Sequence, residues 1–203
     1  MLETILSPII NFVTNTISAA GYIGIAVLMA IESAAIPLPS EIIMPFAGFL
    51  VHEGRFTLFG AALSGAIGSV LGSWVIYFIA LKGGRPLVER YGHYVFISKS
   101  DLDKADGFFK KYGAWSTFIG RMLPIVRTYI SVPAGIAKTP FWSFTLAAFV
   151  GSFIWSYILA FLGMKLGAHW ESLHEQLRGF DVAIAILIVL SLVWYIWRHI
   201  RVN

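Results

Sequence analysis

Glu32-Ser-Ala-Ala-Ile-Pro37-Leu-Pro39-Ser-Glu41, with Pro45 shortly after it, sets two carboxylates and three prolines inside an otherwise apolar stretch. A charged side chain at membrane depth costs roughly 2.5–3.5 kcal/mol even on the mildest insertion scale, so such residues are rare there unless they pair or line a watery path. Proline removes a backbone donor and frees a carbonyl, which hydrocarbon cannot satisfy. The segment Gly21–Gly48 is therefore not expected to cross a bilayer as one straight helix. A hairpin that enters and returns on the same side accommodates both its length and its prolines.

A second stretch repeats the arrangement with the opposite charge: Gly120-Arg121-Met-Leu-Pro124-Ile-Val-Arg127, followed by Pro133, within the apolar segment Gly113–Gly135. It reads as a second re-entrant hairpin. Pro37, Pro39, Pro45, Pro124 and Pro133 are the residues expected to break these helices.

The rest of the chain supplies the membrane. Its 203 residues are 58% hydrophobic and 13% charged, against about 25% charged in a soluble domain. The mean hydropathy is +0.77. Thr57–Leu81 carries no charge, and at 1.5 Å per residue its length of ~37 Å spans a hydrocarbon core of ~30 Å with tilt. Phe141–Met164 reads the same way. Val182–Trp197 makes a third span, with Trp194, Tyr195 and Trp197 as an aromatic belt before Arg198 and Arg201. Ser100–Tyr112 places Leu102, Ala105, Phe108 and Phe109 at helical spacing opposite Asp101, Asp103, Lys104, Lys110 and Lys111, the pattern of an amphipathic interfacial helix.

Seven Lys/Arg lie between Lys82 and Lys111, and two more close the chain, so the positive-inside rule places both regions, and the C-terminus, on the cytoplasmic side. Chain parity then opens the first hairpin outward and the second inward, with their tips facing each other near the midplane. A loose internal similarity agrees, the alternative being a chance match between two glycine-rich apolar segments. Pro45-Phe-Ala-Gly48, Phe56-Thr57, Gly68-Ser69 and Tyr77 before Gly83 run parallel to Pro133-Ala-Gly135, Phe141-Trp142, Gly151-Ser152 and Tyr157 before Gly163. The expected fold is an all-α integral membrane protein. It is an inverted repeat with two opposed re-entrant helical hairpins, about three full transmembrane helices and amphipathic interfacial helices. One membrane domain covers 1–203, with repeats at 20–82 and 100–167 and a C-terminal transmembrane helix at 180–198.

Several functions are disfavoured. The absence of cysteine excludes disulfides, thiolate metal sites and cysteine nucleophiles. The net charge of +4 is spent between apolar segments, where it sets orientation, so nucleic acid is not an expected partner. No Lys or Arg precedes Arg55, so the basic head of a secretory signal is missing and the N-terminal apolar stretch is expected to stay. His52, His93, His169, His174 and His199 lack metal-ligand spacing, and no metal is assigned. Gly60, Gly65, Gly68 and Gly72 point to close helix packing rather than a phosphate loop. Arg55 and Lys138, at loop edges, read as orienting charge.

The two charged motifs carry the candidate site. On straight helices Glu32 and Glu41 would point ~180° apart, and Arg121 and Arg127 ~120° apart. The proline breaks let each pair turn toward one cavity. Arginine offers a planar, permanently charged donor fork suited to phosphate, whereas a carboxylate in low dielectric can exchange protons. The alternative is that the four charges only tie the hairpins together.

At these residues the chain resembles the DedA family, the bacterial branch of the membrane proteins sharing the SNARE-associated or VTT domain. The resemblance rests on Glu32…Pro37-x-Pro39-x-Glu41 with Pro45-x-Ala-Gly48, and on Gly120-Arg121-x-x-Pro124-x-x-Arg127-Thr with Pro133-Ala-Gly135, and covers roughly residues 20–165. It implies a lipid translocase of the bacterial cytoplasmic membrane, not an enzyme and without a cofactor. The translocase would carry undecaprenyl phosphate, a polyprenyl phosphate, from the outer to the inner leaflet under the proton motive force. A phospholipid flippase or scramblase acting on phosphatidylethanolamine is the alternative. The family's essential acidic positions fall on Glu32 and Glu41, for proton coupling or salt bridging, and its essential arginines on Arg121 and Arg127, for binding phosphate. Partners are then the lipid substrate, membrane lipids and protons; a homo-oligomer is compatible with this reading.

Overall fold

The computed structural model describes residues 2–36, 38–91, 107–109, 111–124 and 126–167. These residues are mostly helical, with no strand among them. The elements are α1 (Leu2–Ser33), α2 (Ser40–His52), α3 (Leu58–Tyr91), α4 (Trp115–Arg121), α5 (Val126–Tyr129), α6 (Ser131–Ile136) and α7 (Phe141–Leu166).

Helix α1 is two limbs joined at a corner. Gly21 adopts φ 62° and ψ −135°, a conformation a side chain disfavours. A Cβ on Gly24 would stand 2.6 Å from the Thr16 carbonyl oxygen. In a straight helix residues eight apart are ~12 Å from one another, so the limbs fold sharply here. The second limb, Tyr22–Ser33, is ~18 Å long, and the 13 residues of α2 make ~20 Å. Where the limb starts, the Thr57 N–H donates to Tyr22 Oη at 2.8 Å and the Phe56 ring lies 4.8 Å from the Tyr22 ring. Where it ends, the chain turns through Ala35, at φ 63°, and Pro39 caps α2. The limb and α2 thus form a helical hairpin based at Tyr22 and Thr57, with Glu32 by its tip.

The prolines do not act alike. Pro39 and Pro124 lie in breaks, and Pro133 falls in the first turn of α6, where its missing N–H has no intrahelical partner to lose. Pro45, expected to break a helix, instead sits inside α2, which continues to His52. Its loss is one hydrogen bond, and its carbonyl packs where α2 crosses α7. Pro37 lies outside the described residues.

Among the described residues, three helices are long and apolar enough to span a membrane: Ile10–Ser33, Leu58–Gly84 and Phe141–Leu166. The second and third match expected spans. The first includes the Gly21 corner, so it is not one straight rod. Val182–Trp197 lies outside the described residues, as does most of the Ser100–Tyr112 segment. Residues 107–109 and 111–112 of that segment are helical, with Phe109 buried against the cluster of Tyr77, Ile130, Ala134 and Phe144, and Phe108 exposed.

Helix α3 is the rail along which the other pieces are set. Side chains at Gly68 and Gly72 would run into the carbonyls of Ala26 and Ala30, so the hairpin limb lies backbone to backbone on the first half of α3. The second half receives α6. Gly135 abuts the Tyr77 carbonyl, and the Tyr77 hydroxyl donates to the Thr139 carbonyl at 2.6 Å. Helix α7 runs antiparallel to α3, pairing Thr145 with Trp74 through a 3.0 Å hydrogen bond and setting Ser156 against Gly65. It crosses α2 at Gly48 and Gly163, which face the backbones of Ala160 and Pro45. Between the hairpin and the first limb of α1, Val13, Ile17, Ile25, Leu28, Met29, Ile43 and Met44 make a closed apolar core. Outward, Phe59, Val75, Ile79, Trp142 and Leu146 are exposed, a surface suited to lipid.

Candidate functional site

The two charged motifs converge beside Gly72 and Ser73, near the middle of the Leu58–Gly84 span. Glu32, in the last turn of α1, is buried. So are Arg121, the final residue of α4, and Arg127 in α5, each 1% exposed. The break around Pro124 separates α4 from α5 and lets both arginines face inward.

Glu32 joins the first hairpin to the second motif. Its Oε2 accepts from Arg127 Nη2 at 3.3 Å and from Ser33 Oγ at 3.2 Å, while Oε1 accepts from Thr128 Oγ1 at 3.2 Å. The Arg127 guanidinium also lies 5.3 Å from the centre of the Trp155 ring on α7, a cation–π distance. Arg121 has different neighbours. Its Nη2 donates to Ser131 Oγ at 3.1 Å and to Ser73 Oγ, and Ser73 in turn donates to the Ser69 carbonyl. The aliphatic stem of Arg121 rests on Gly151, where a Cβ would stand 2.7 Å from the arginine's own.

A guanidinium carries five N–H donors. At both arginines Nε and Nη1 are buried without a protein partner, as are the hydroxyls of Ser69, Thr117, Ser152 and Ser156 and the indole nitrogen of Trp155. Buried polar groups are nearly always satisfied, so a cluster of orphan donors calls for an acceptor. Among the described residues, two buried guanidinium groups stand against one buried carboxylate, an excess of positive charge. The arrangement is two buried guanidinium groups with unpaired N–H donors, one of them facing a carboxylate.

Glu41 lies in the first turn of α2 and is exposed rather than buried with Glu32. It remains within electrostatic reach of Arg127. Arg55 is exposed and donates to the Ser18 carbonyl at 3.2 Å, near the end of the first limb of α1. Lys138 is exposed after α6 with φ 52°. Among the described residues no three His, Cys, Asp or Glu side chains gather as a metal-ligand set.

Ser33, Ser73, Ser131 and Trp155 were not singled out by charge or spacing, and Thr128 entered only as the residue after Arg127 in the matched motif. A signal for part of this set lies in residues 68–73 and 151–156, Gly-Ser-x-x-x-Ser in both. Each places two serines at i and i+4 on one helical face, and all four are buried.

The sequence profile of the VTT domain matches residues 38–165. The uncharacterized membrane protein YkoX of Bacillus subtilis is 40% identical over 175 residues, covering 86% of this chain and 77% of that protein. Undecaprenyl phosphate transporter A of the same organism is 36% identical over 194 residues, covering 96% and 94%. A Lactococcus lactis protein named alkaline phosphatase-like protein is 34% identical over 183 residues, covering 87% and 86%. No solved structure matches the chain.

Proposed function

The chain belongs to the VTT-domain (DedA) family of multi-pass membrane proteins, and on that footing we propose that it carries undecaprenyl phosphate from the outer to the inner leaflet of the bacterial cytoplasmic membrane. The observation that supports this most is the pair of buried arginines with unpaired N–H groups beside Glu32. The name of its 36% identical relative in B. subtilis points to the same lipid.

In this reading the hairpins are re-entrant and their tips form a headgroup site near the midplane, while the polyprenyl tail stays in lipid. Arg121 and Arg127 bind the phosphate. A phosphate monoester carries about −1.5 to −2 charges, and each one costs about 2.3 kcal/mol per 100 mV to move toward a negative interior. Protons moving with it offset that cost. Glu32 takes a proton as the lipid displaces it from Arg127, and Glu41, exposed in the first turn of α2, passes protons from the outer side.

Reconstituted vesicles loaded with labelled undecaprenyl phosphate test the proposal. Inward transfer should depend on a proton gradient and be lost in Arg121→Ala and Arg127→Ala. Wild-type rates in the double variant would refute the phosphate clamp, and a bidirectional, gradient-independent rate would favour a scramblase. Release of inorganic phosphate would instead support the hydrolytic reading that the Lactococcus relative's name suggests.

A further inference from the structure

Arg121 and Arg127 share one buried site but are held by different chemistry. Arg127 faces a carboxylate, Glu32, at 3.3 Å. An incoming anion must displace that carboxylate before it gains the same face. Arg121 is held by hydroxyls from two other elements, Ser73 of α3 and Ser131 of α6, both fully buried. A hydroxyl is neutral, so it orients the guanidinium without cancelling its charge. The Ser73 proton is committed to the Ser69 carbonyl, which turns the serine's lone pairs toward Arg121. The arginine stem packs directly on Gly151, where any side chain would collide with it. Nε and Nη1 of Arg121 remain without a protein partner at 1% exposure.

We infer that Ser73 and Ser131 are positioning residues that hold Arg121 as a standing anion receptor, so that a phosphate headgroup binds Arg121 first and displaces Glu32 from Arg127 second. This rests on the proposed reading of the site as a phosphate-lipid site and assigns the two arginines unequal tasks within it. Arg121 sets affinity. Arg127, whose gain from phosphate is offset by the loss of Glu32, couples binding to release of the carboxylate.

The test is calorimetric titration of the purified full-length chain in detergent with dodecyl phosphate, a single-chain phosphate monoester. Hydrogen bonds to charged groups are strong enough that Ser131→Ala should weaken binding by ~10-fold or more. Its melting temperature should fall modestly, since Ser73 still holds the guanidinium but one buried N–H loses its partner, so rescue by threonine separates positioning from stability. Ser131→Thr, which restores a hydroxyl, should return affinity to within about threefold of the unaltered chain. Arg121→Met should cost at least ~100-fold, and Arg127→Met combined with Glu32→Leu, which strands no carboxylate, at least ~10-fold less than that, reflecting two charge-assisted bonds against an exchange. Three results overturn the inference: Ser131→Ala binding normally, threonine failing to rescue, or both arginine variants losing affinity equally. If the unaltered chain fails to bind dodecyl phosphate, the phosphate reading itself falls, whatever the order of contacts.

Discussion

Replacing Glu32 with alanine should destabilise the protein severely, because it leaves Arg127 charged at 1% exposure with no counter-ion at hydrogen-bond distance. Arginine cannot shed its proton to escape. Removing one partner of a buried pair costs about 3–5 kcal/mol, much more than the ~0–1 kcal/mol of a surface pair. The Thr128 and Ser33 hydroxyls lose their acceptor in the same step. For a chain of this size each kcal/mol lowers the melting temperature by ~2–4 °C, so Glu32→Ala should melt ~6–20 °C below the wild type. The control removes the stranded charge as well: Glu32→Leu with Arg127→Met replaces the pair by apolar groups, an exchange that is often neutral. It should recover at least half of the loss while abolishing transport. Thermal unfolding in one detergent, followed by circular dichroism, measures all three proteins. A shift under ~2 °C in Glu32→Ala, or a double variant no more stable than the single, would refute the view that this ion pair is buried and joins the two motifs.

Gly163→Val should sharply reduce the monodisperse fraction on size exclusion, because its Cβ would collide with the Pro45 backbone. Gly107→Ala, with nothing within 4 Å of the added carbon, should stay within about 0.5 kcal/mol of wild type. Ala35→Gly should raise stability by ~0.5–1 kcal/mol, since glycine relieves the left-handed φ of 63° that costs alanine about 1–2 kcal/mol. Tyr77→Phe should lower stability by ~1–3 kcal/mol through loss of its 2.6 Å bond to the Thr139 carbonyl and faster exchange of the α6 amides.

The charged, proline-bearing motifs were legible because charge inside apolar sequence is costly and needs a reason. Glycine packing was legible at Gly68 and Gly72, since small residues three and four apart let backbones meet. Serine was not. Ser73 and Ser131 scarcely alter hydropathy, and their role emerges only when α3 and α6 bring them to one guanidinium. Trp155 reads by itself as another aromatic of an apolar helix, and only the approach of α5 gives it a cation to face. Gly21 marked the start of the first hairpin segment, but a lone glycine gives no sign that the preceding helix folds back so that Thr16 meets Gly24. The burial of Glu32 and exposure of Glu41 depended on the angle between the limb and α2, which residue spacing leaves undetermined.

The central claim is that the two motif tips meet halfway through the bilayer. The chain has no cysteine, so single spin labels can be placed at Ile36 and Leu123, exposed positions beside the two motifs' breaks, with Arg55 and Lys138 as references at the far ends of the two motif segments. Depth measured from the balance of oxygen and polar-relaxant collisions in vesicles should put both tip labels ~15 Å below the lipid headgroups, the middle of a ~30 Å core, and the reference labels at opposite surfaces. Either tip label at headgroup depth, or both references on one surface, would contradict the account.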